Sequence, residues 1–204
     1  MLFEATYNTI NATAEAIFRI KGSKFIAHIF TIETENDFKN HLLQIKQQHP
    51  KANHHCYGLR LTTNRSVYKT SDDGEPAGSA GKPILNALLS ADVTQCACVV
   101  TRYFGGTLLG VPGLINAYKS ATEMAIHLAG ISTHEITEQH TVKFDFEWMH
   151  IIQNLLKQHQ AKIISIQQNE HCILTFVVTK THAQNLISKL LNEYPLKGNI
   201  RFIN

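Results

Sequence analysis

The stretch TQCACVVTRYFGGTLLG, residues 94–110, decides how the chain is read. Thr94 to Thr101 is an apolar strand, uninterrupted from Cys96 to Val100, without the alternation of a strand that keeps one wet face. Such a run predicts burial on both faces. The run then breaks into Arg102, Tyr103, Phe104, Gly105 and Gly106. A core strand has no use for a cation, two aromatics and two glycines at its end, so the loop beyond it is read as the working face of a domain. Arginine pairs with phosphate or carboxylate, and aromatics stack on bases or fill a partner's pocket. The structural alternative is that one aromatic covers the sheet edge and Arg102 pairs with Asp72, Asp73 or Glu75.

Working outward, Pro83 suits the first turn of a helix whose Ile84, Leu85, Leu88 and Leu89 face inward. After the glycines, Leu114, Ala117, Tyr118, Ala121, Ala125 and Leu128 recur at helical spacing, and Gly130 stands where a C-terminal cap belongs. Toward the N-terminus, Ala14 to Ile32 reads as two strands around a turn at Gly22. Thr34 and Asp37 form a capping box with a shorter acid than the preferred Glu. Phe38, Leu42, Ile45 and His49 give that helix its apolar face, and Pro50 stops it. A strand follows over His54 to Thr62, then a turn at Asn64-Arg65 and a short partner over Val67 to Thr70.

The remainder has a different rhythm. Val142, Phe144 and Phe146 alternate along a strand, Trp148 to Leu156 marks a helix, and Ala161 to Gln167 and Cys172 to Thr179 read as strands. Thr181 with Gln184 predicts a second capping box, and Asn199 to Ile203 a last strand. The order β-α-β-β-α-β is ferredoxin-like. The fold expected is α+β with two domains, residues 1–131 and 132–204, and a boundary near Ser132-Thr133.

The bulk numbers bound the function. At 204 residues, 44% hydrophobic and 17% charged, the chain is an ordinary globular protein with room for two cores. A net charge of +3 carries no polyanion signal by itself, so nucleic-acid binding has to rest on a local patch. MLFEATYNTI lacks a basic segment followed by an apolar one, and no run approaches membrane-spanning length, so the expected location is cytoplasmic with no membrane partner. Cys56, Cys96, Cys98 and Cys172 show no CxxC spacing and read as small buried hydrophobes.

Seven of the eleven glycines lie between Gly74 and Gly113, beside the most polar loop, SDDGEPAGSAGKP (residues 71–83), which places the functional region there. The loop is not a nucleotide-binding P-loop, because Pro76 stands at the first glycine position and Pro83 replaces the Ser/Thr. A looser anion site at the following helix N-terminus, aided by Lys82, stays open. His54 and His55 with Asp72, Asp73 and Glu75 compose a possible hydrolase-like set. Adjacent strand histidines point to opposite faces, so only one readily joins a given site, and the acids alternatively satisfy turn amides. No zinc spacing is present, and neither a metal nor a cofactor is expected.

The run from Gly81 to Gly110 resembles the signature of the IMPACT/YigZ family, an apolar helix followed by a strand ending R-aromatic-aromatic-G-G-x-x-apolar-G. Arg102, Tyr103, Phe104, Gly105, Gly106, Leu109 and Gly110 fit it in order, and SDDGEPAGSAGKP and KANHHCYGLR look like the family's upstream blocks. The resemblance covers about residues 10–130. It departs at Pro112 and Asn116, where many relatives carry a glycine and a basic residue; Lys119, one turn on, is the nearest replacement. The resemblance implies a first domain like the second domain of a small-subunit ribosomal protein, with helices on one sheet face. It implies a second domain like the last domain of elongation factor G. Eukaryotic relatives regulate translation by binding the activator of a starvation-responsive kinase through an additional N-terminal element; the bacterial-type layout here implies a translation role by analogy only.

The function expected is a non-enzymatic, translation-associated regulator that binds RNA, the ribosome or a translation-linked protein. Its candidate binding residues are Arg102, Tyr103, Phe104, Gly105, Gly106, Lys82, Asp72, Asp73, Glu75, His54 and His55. The alternative is a small-molecule hydrolase using His54 or His55 with Asp72, Asp73 or Glu75.

Overall fold

The computed structural model describes residues 5–192 and 194–203. The chain is a mixed α and β protein that divides into two compact units. One spans Tyr7–His134, and the other runs from Glu135 onward with Ala5 and Thr6.

In chain order, the first unit holds all but the outermost residue of β1 (Thr6–Ile10) and of β7 (Ile131–Glu135), and between them β2 (Ala14–Ile20), β3 (Ser23–Thr31), α1 (Glu35–Gln48), β4 (His54–Arg60), β5 (Tyr68–Ser71), α2 (Gly81–Ser90), β6 (Cys96–Tyr103) and α3 (Gly110–Ala129). Five strands form an antiparallel sheet in the order β2-β3-β6-β4-β5, and β1 pairs with β7. The β1–β7 pair has no counterpart in the sequence reading.

β6 is central, and its unbroken apolar run explains the layers. Cys96, Cys98 and Val100 join Phe25, Ile29 and Cys56 in a core completed by Ile84 and Leu88 of α2 and Tyr118 of α3. Ala97 and Val99 point the other way, into a core with Phe30, Leu59 and the α1 residues Phe38 and Ile45. Helices therefore cover both faces, which corrects the one-face arrangement implied by resemblance. A strand with apolar side chains on both sides needs a cover on both. α1 begins as its capping box requires. Thr34 Oγ1 accepts from the Asp37 amide at 3.1 Å, and Asp37 Oδ2 accepts from the Thr34 amide at 2.8 Å.

Two inward assignments are corrected. Leu89 is 46% exposed and Leu128 62%, while Ala87, Ile126 and Ala129 are buried. The 3.6-residue repeat carries Leu89 and Leu128 off the stripe set by Ile84 and Tyr118.

The second unit holds β8 (Thr137–Phe144), a 3-10 turn at Phe146–Trp148, α4 (Met149–Gln158), β9 (Lys162–Gln168), β10 (Cys172–Thr179), α5 (Lys180–Asn192) and β11 (Ile200–Ile203). Its antiparallel sheet runs β11-β8-β10-β9. Val142, Phe144, Leu174 and Phe176 pack against Ile152 and Leu156 of α4 and Leu186 and Leu190 of α5. Phe146 is not on that strand face; it opens the 3-10 turn and is 68% exposed. Thr181 does not cap α5. β10 runs directly into the helix at Lys180, so Thr181 lies in its first turn, with its hydroxyl 3.0 Å from that of Thr179.

Candidate functional site

Antiparallel pairing brings the ends of β2, β5 and β6 and the starts of β3 and β4 to one end of the five-stranded sheet. All the residues singled out above lie at this end or in the loops leaving it. The sheet then divides them between its two faces.

On the face toward α2 and α3, His54 pairs in register with Arg102, as does Phe25 from the other side. Arg102 is only 6% exposed. One of its terminal nitrogens donates to Glu75 Oε1 at 2.7 Å, and the Tyr118 hydroxyl donates to the same oxygen at 2.7 Å. The guanidinium lies 5.4 Å from the Phe25 ring centre and 5.6 Å from that of Phe104. Cys56 Sγ sits 3.3 Å from the Tyr118 hydroxyl and 3.0 Å from the Asp72 carbonyl oxygen. Burial pushes the Cys56 thiol up to about 12, leaving no thiolate nucleophile at neutral pH. Burial, then the neighbouring Cys56 and Glu75, raises the Tyr118 phenol as well. His54 Nε2 is 4.0 Å from Glu75 Oε1, and its Nδ1 lies 2.8 Å from the Asp73 carbonyl oxygen.

Asp72 fills the start of α2. Its carboxylate accepts from the amides of Gly78 at 2.9 Å, Ala80 at 3.0 Å and Gly81 at 2.8 Å. Burial pushes its pKa up, but the amides of Gly78, Gly81 and Ala80 pull it further down, to below the ordinary value. The anion position considered for this helix N-terminus is thus taken by the chain's own carboxylate, with Lys82 exposed outside it.

On the face toward α1, Tyr103 is half-buried, with its hydroxyl 3.0 Å from His49 Nδ1. His28 lies beside it, its ring 5.3 Å from that of His49. The His55 amide donates to Asp73 Oδ2 at 2.7 Å, its Nδ1 is 3.9 Å from the same oxygen, and Lys46 Nζ is 4.0 Å from Asp73 Oδ1. His49 was readable only as part of a helix face, and His28 gave no signal among the apolar residues of β3. Among the described residues no three His, Cys, Asp or Glu side chains converge as a metal-binding group.

The hydrolase-like set is divided between the two faces: His54 lies beside Glu75 on one and His55 beside Asp73 on the other. Asp72 is engaged by amides, and Glu75 also accepts from Arg102 and Tyr118.

The α1 face carries a pH dependence. Burial lowers the His28 pKa, with Glu15 opposing and His49 and His55 adding to it. Burial, then Lys46, lowers that of His55 against the pull of Asp73. Between each lowered folded value and the unfolded value of about 6.5, the unfolded chain binds more protons. Stability is therefore expected to be flat above about pH 7 and to fall as pH drops through about 6.5. A Tm series from about pH 8 to 5 measures this, and His55→Gln should flatten part of the slope.

What remains outward is Phe104, 45% exposed, and the loop after it, where Leu108 is 83% exposed. The loop is anchored at its root. The Phe104 amide donates to Asn53 Oδ1 at 2.9 Å, and the Gly105 amide to Ser23 Oγ at 3.1 Å. Lys21, Lys51 and Lys82 are exposed, with no ion pair among the described residues. Gly106 begins the open part of the loop, at φ 85°. No helix among the described residues is long and apolar enough to cross a membrane.

Comparison with known proteins places the chain. The family model "Impact N-terminal domain" matches residues 21–126. IMPACT family member YvyE of Bacillus subtilis is 35% identical over 167 residues, 81% of this chain and 76% of that protein. An IMPACT family member of Haemophilus influenzae is 38% identical over 161 residues, 76% of this chain and 77% of that one. YigZ of Escherichia coli is 29% identical over 88% of this chain and 89% of its own length. A solved structure described as a hypothetical protein superposes with a TM-score of 0.77 at 26% identity, covering 98% of each chain. The stretch from β3 through most of α3 that builds the sheet end is what the family model matches, and the chain belongs to the IMPACT family.

Proposed function

We propose that the protein is a non-enzymatic, translation-associated regulator that binds RNA, on or off the ribosome, through this end of the sheet. The observation that carries the reading is the direction of the charges. Asp72 and Glu75 turn inward to amides, Arg102 and Tyr118, while Phe104, Lys21, Lys51 and, at the start of α2, Lys82 stay exposed. An exposed ring among unpaired lysines suits single-stranded RNA, which combines base stacking with phosphate contacts. Arg102 then supports Phe104 from beneath instead of meeting phosphate itself.

The fold supports the same reading by analogy. The strand order β11-β8-β10-β9 is that of a ferredoxin-like domain, like the last domain of elongation factor G, and the first unit is assigned to the ribosomal-protein-like class. Both assignments are part of the proposal.

Co-sedimentation with ribosomes and with total RNA across a salt series tests it. Phe104→Ala should weaken association by about 5- to 150-fold, the equivalent of one stacked base at roughly 1–3 kcal/mol. Lys82→Ala should weaken it less and make the salt dependence shallower. Absence of association at low salt, or association indifferent to both changes, overturns the assignment.

A further inference from the structure

At the opposite end of the same sheet lies a second concavity that the proposed RNA surface does not use. It is a cavity of about 420 Å³ between β1, the end of β3, the first turns of α1 and the segment entering β6. That volume falls in the range of small-molecule sites. Its wall mixes apolar surface with acceptors; Tyr7, Thr9, Glu33, Asp37, Asn40 and Gln95 contribute, His41 also lines it, and no lysine or arginine is among the lining residues.

Three features give this wall a direction. The first is Thr9. It is only 7% exposed, and its hydroxyl oxygen is fully buried with no hydrogen-bond partner. A buried hydroxyl without a partner is costly, and native proteins keep few of them. The second is the carboxylates. Asp37 Oδ2 is occupied by the amides of Glu33 and Thr34, at 3.2 and 2.8 Å, while the Glu33 carboxylate is exposed and has no ion pair among the described residues. The third is Tyr7. Burial, then the Glu33 carboxylate, pushes its phenol up, so it stays a hydroxyl beside a negative charge. Gln95, in the same wall, holds a left-handed backbone (φ 51°) while its carbonyl accepts from the Ile32 amide at 2.9 Å.

We propose that this cavity binds a small organic cation bearing a primary ammonium or guanidinium group. Glu33 supplies the counter-charge, Asn40, Gln95 and the Tyr7 hydroxyl accept further N–H donors, and the buried Thr9 hydroxyl accepts one on binding by turning into the cavity. Two carboxylates, with His41 and no lysine or arginine in the lining, disfavour an anion, and a neutral apolar ligand leaves these acceptors unpaired. The site stands apart from Phe104 and Lys82, so its fate is independent of the RNA reading.

The test is calorimetric titration of the full chain with agmatine and with spermidine at physiological salt, where diffuse attraction to surface acids is screened. Saturable one-to-one binding of at least one probe is expected. Glu33→Gln should weaken it tenfold or more, while Glu123→Gln, which removes a carboxylate from α3, leaves it unchanged. Thr9→Val has a signature of its own. It deletes an unpartnered hydroxyl at constant shape, so the ligand-free Tm should rise while affinity falls. No saturable binding of either probe at millimolar concentration overturns the proposal. So does binding that Glu33→Gln leaves intact, or a Thr9→Val protein with lower Tm and unchanged affinity.

Discussion

Arg102→Met is expected to lower stability by about 3–5 kcal/mol, because it removes one partner of a buried ion pair and leaves the other charge without compensation. Glu75 accepts from both Arg102 and Tyr118 on a single oxygen, and the two charged side chains are 7% and 3% exposed. Methionine fills much of the arginine's volume with an apolar chain, so the loss reports mainly the charge and not a cavity. Adding Glu75→Gln should recover most of the loss, since the amide oxygen still accepts from Tyr118 and no lone charge remains. Hydrogen exchange of the β6 amides in the full chain reads the effect on this unit directly. A drop below about 1 kcal/mol for Arg102→Met would mean that water reaches the pair. If the double variant is no better than the single, the coupling assigned to Glu75 is wrong.

Gly105→Ala is expected to be at least as disruptive, by a purely steric route. A Cβ at Gly105 would collide with the backbone of Gly22 and Ser23, and no rotamer change relieves a clash with main chain. Either the β2–β3 turn or the loop carrying Phe104 must move, and losses above about 4 kcal/mol come from such forced backbone shifts. The change should also break the Gly105 amide's hydrogen bond to Ser23 Oγ and displace Phe104. Gly106→Ala is a useful companion. Nothing lies within 4 Å of its would-be Cβ, so its cost is confined to the positive φ of 85°, about 1 kcal/mol. Comparing the two by Tm and by RNA co-sedimentation separates crowding from conformational strain. Equal losses at both positions would contradict the packing of the β2–β3 turn on Gly105.

This pair of glycines answers why the strand ends as it does. Gly105 lets the neighbouring turn come close, Gly106 turns the loop outward, and Arg102 is a buried support rather than an exposed probe. The sequence alone offered Arg102, Tyr103 and Phe104 as one surface, with pairing of Arg102 to Asp72, Asp73 or Glu75 as the alternative, and the structure gives the pairing, to Glu75. A strand's alternation sends Arg102 and Tyr103 to opposite faces, and only the packed helices show what each then meets. Tyr103 goes to His49 on α1, while Arg102 goes to Glu75 beneath α3.

The sequence by itself determined the features that depend on local pattern. An unbroken apolar run from Cys96 to Val100 forces burial on both faces, Thr34 with Asp37 starts α1, and Cys172–Thr179 reads as the strand that β10 is. Each is legible because side-chain periodicity and backbone freedom are properties of neighbouring residues. Tertiary structure alone decided which charges remain available. Asp72, Asp73 and Glu75 are chemically alike and nearly adjacent, so the sequence leaves their partners interchangeable. The left-handed turn at Asp73 (φ 42°) and Gly74 (φ 89°) separates them, sending Asp72 to the amides of α2, Asp73 to His55 and Glu75 to Arg102 and Tyr118. Which carboxylate meets which donor is settled by distances across the folded sheet, because electrostatic and hydrogen-bond energies depend on those distances and not on order along the chain.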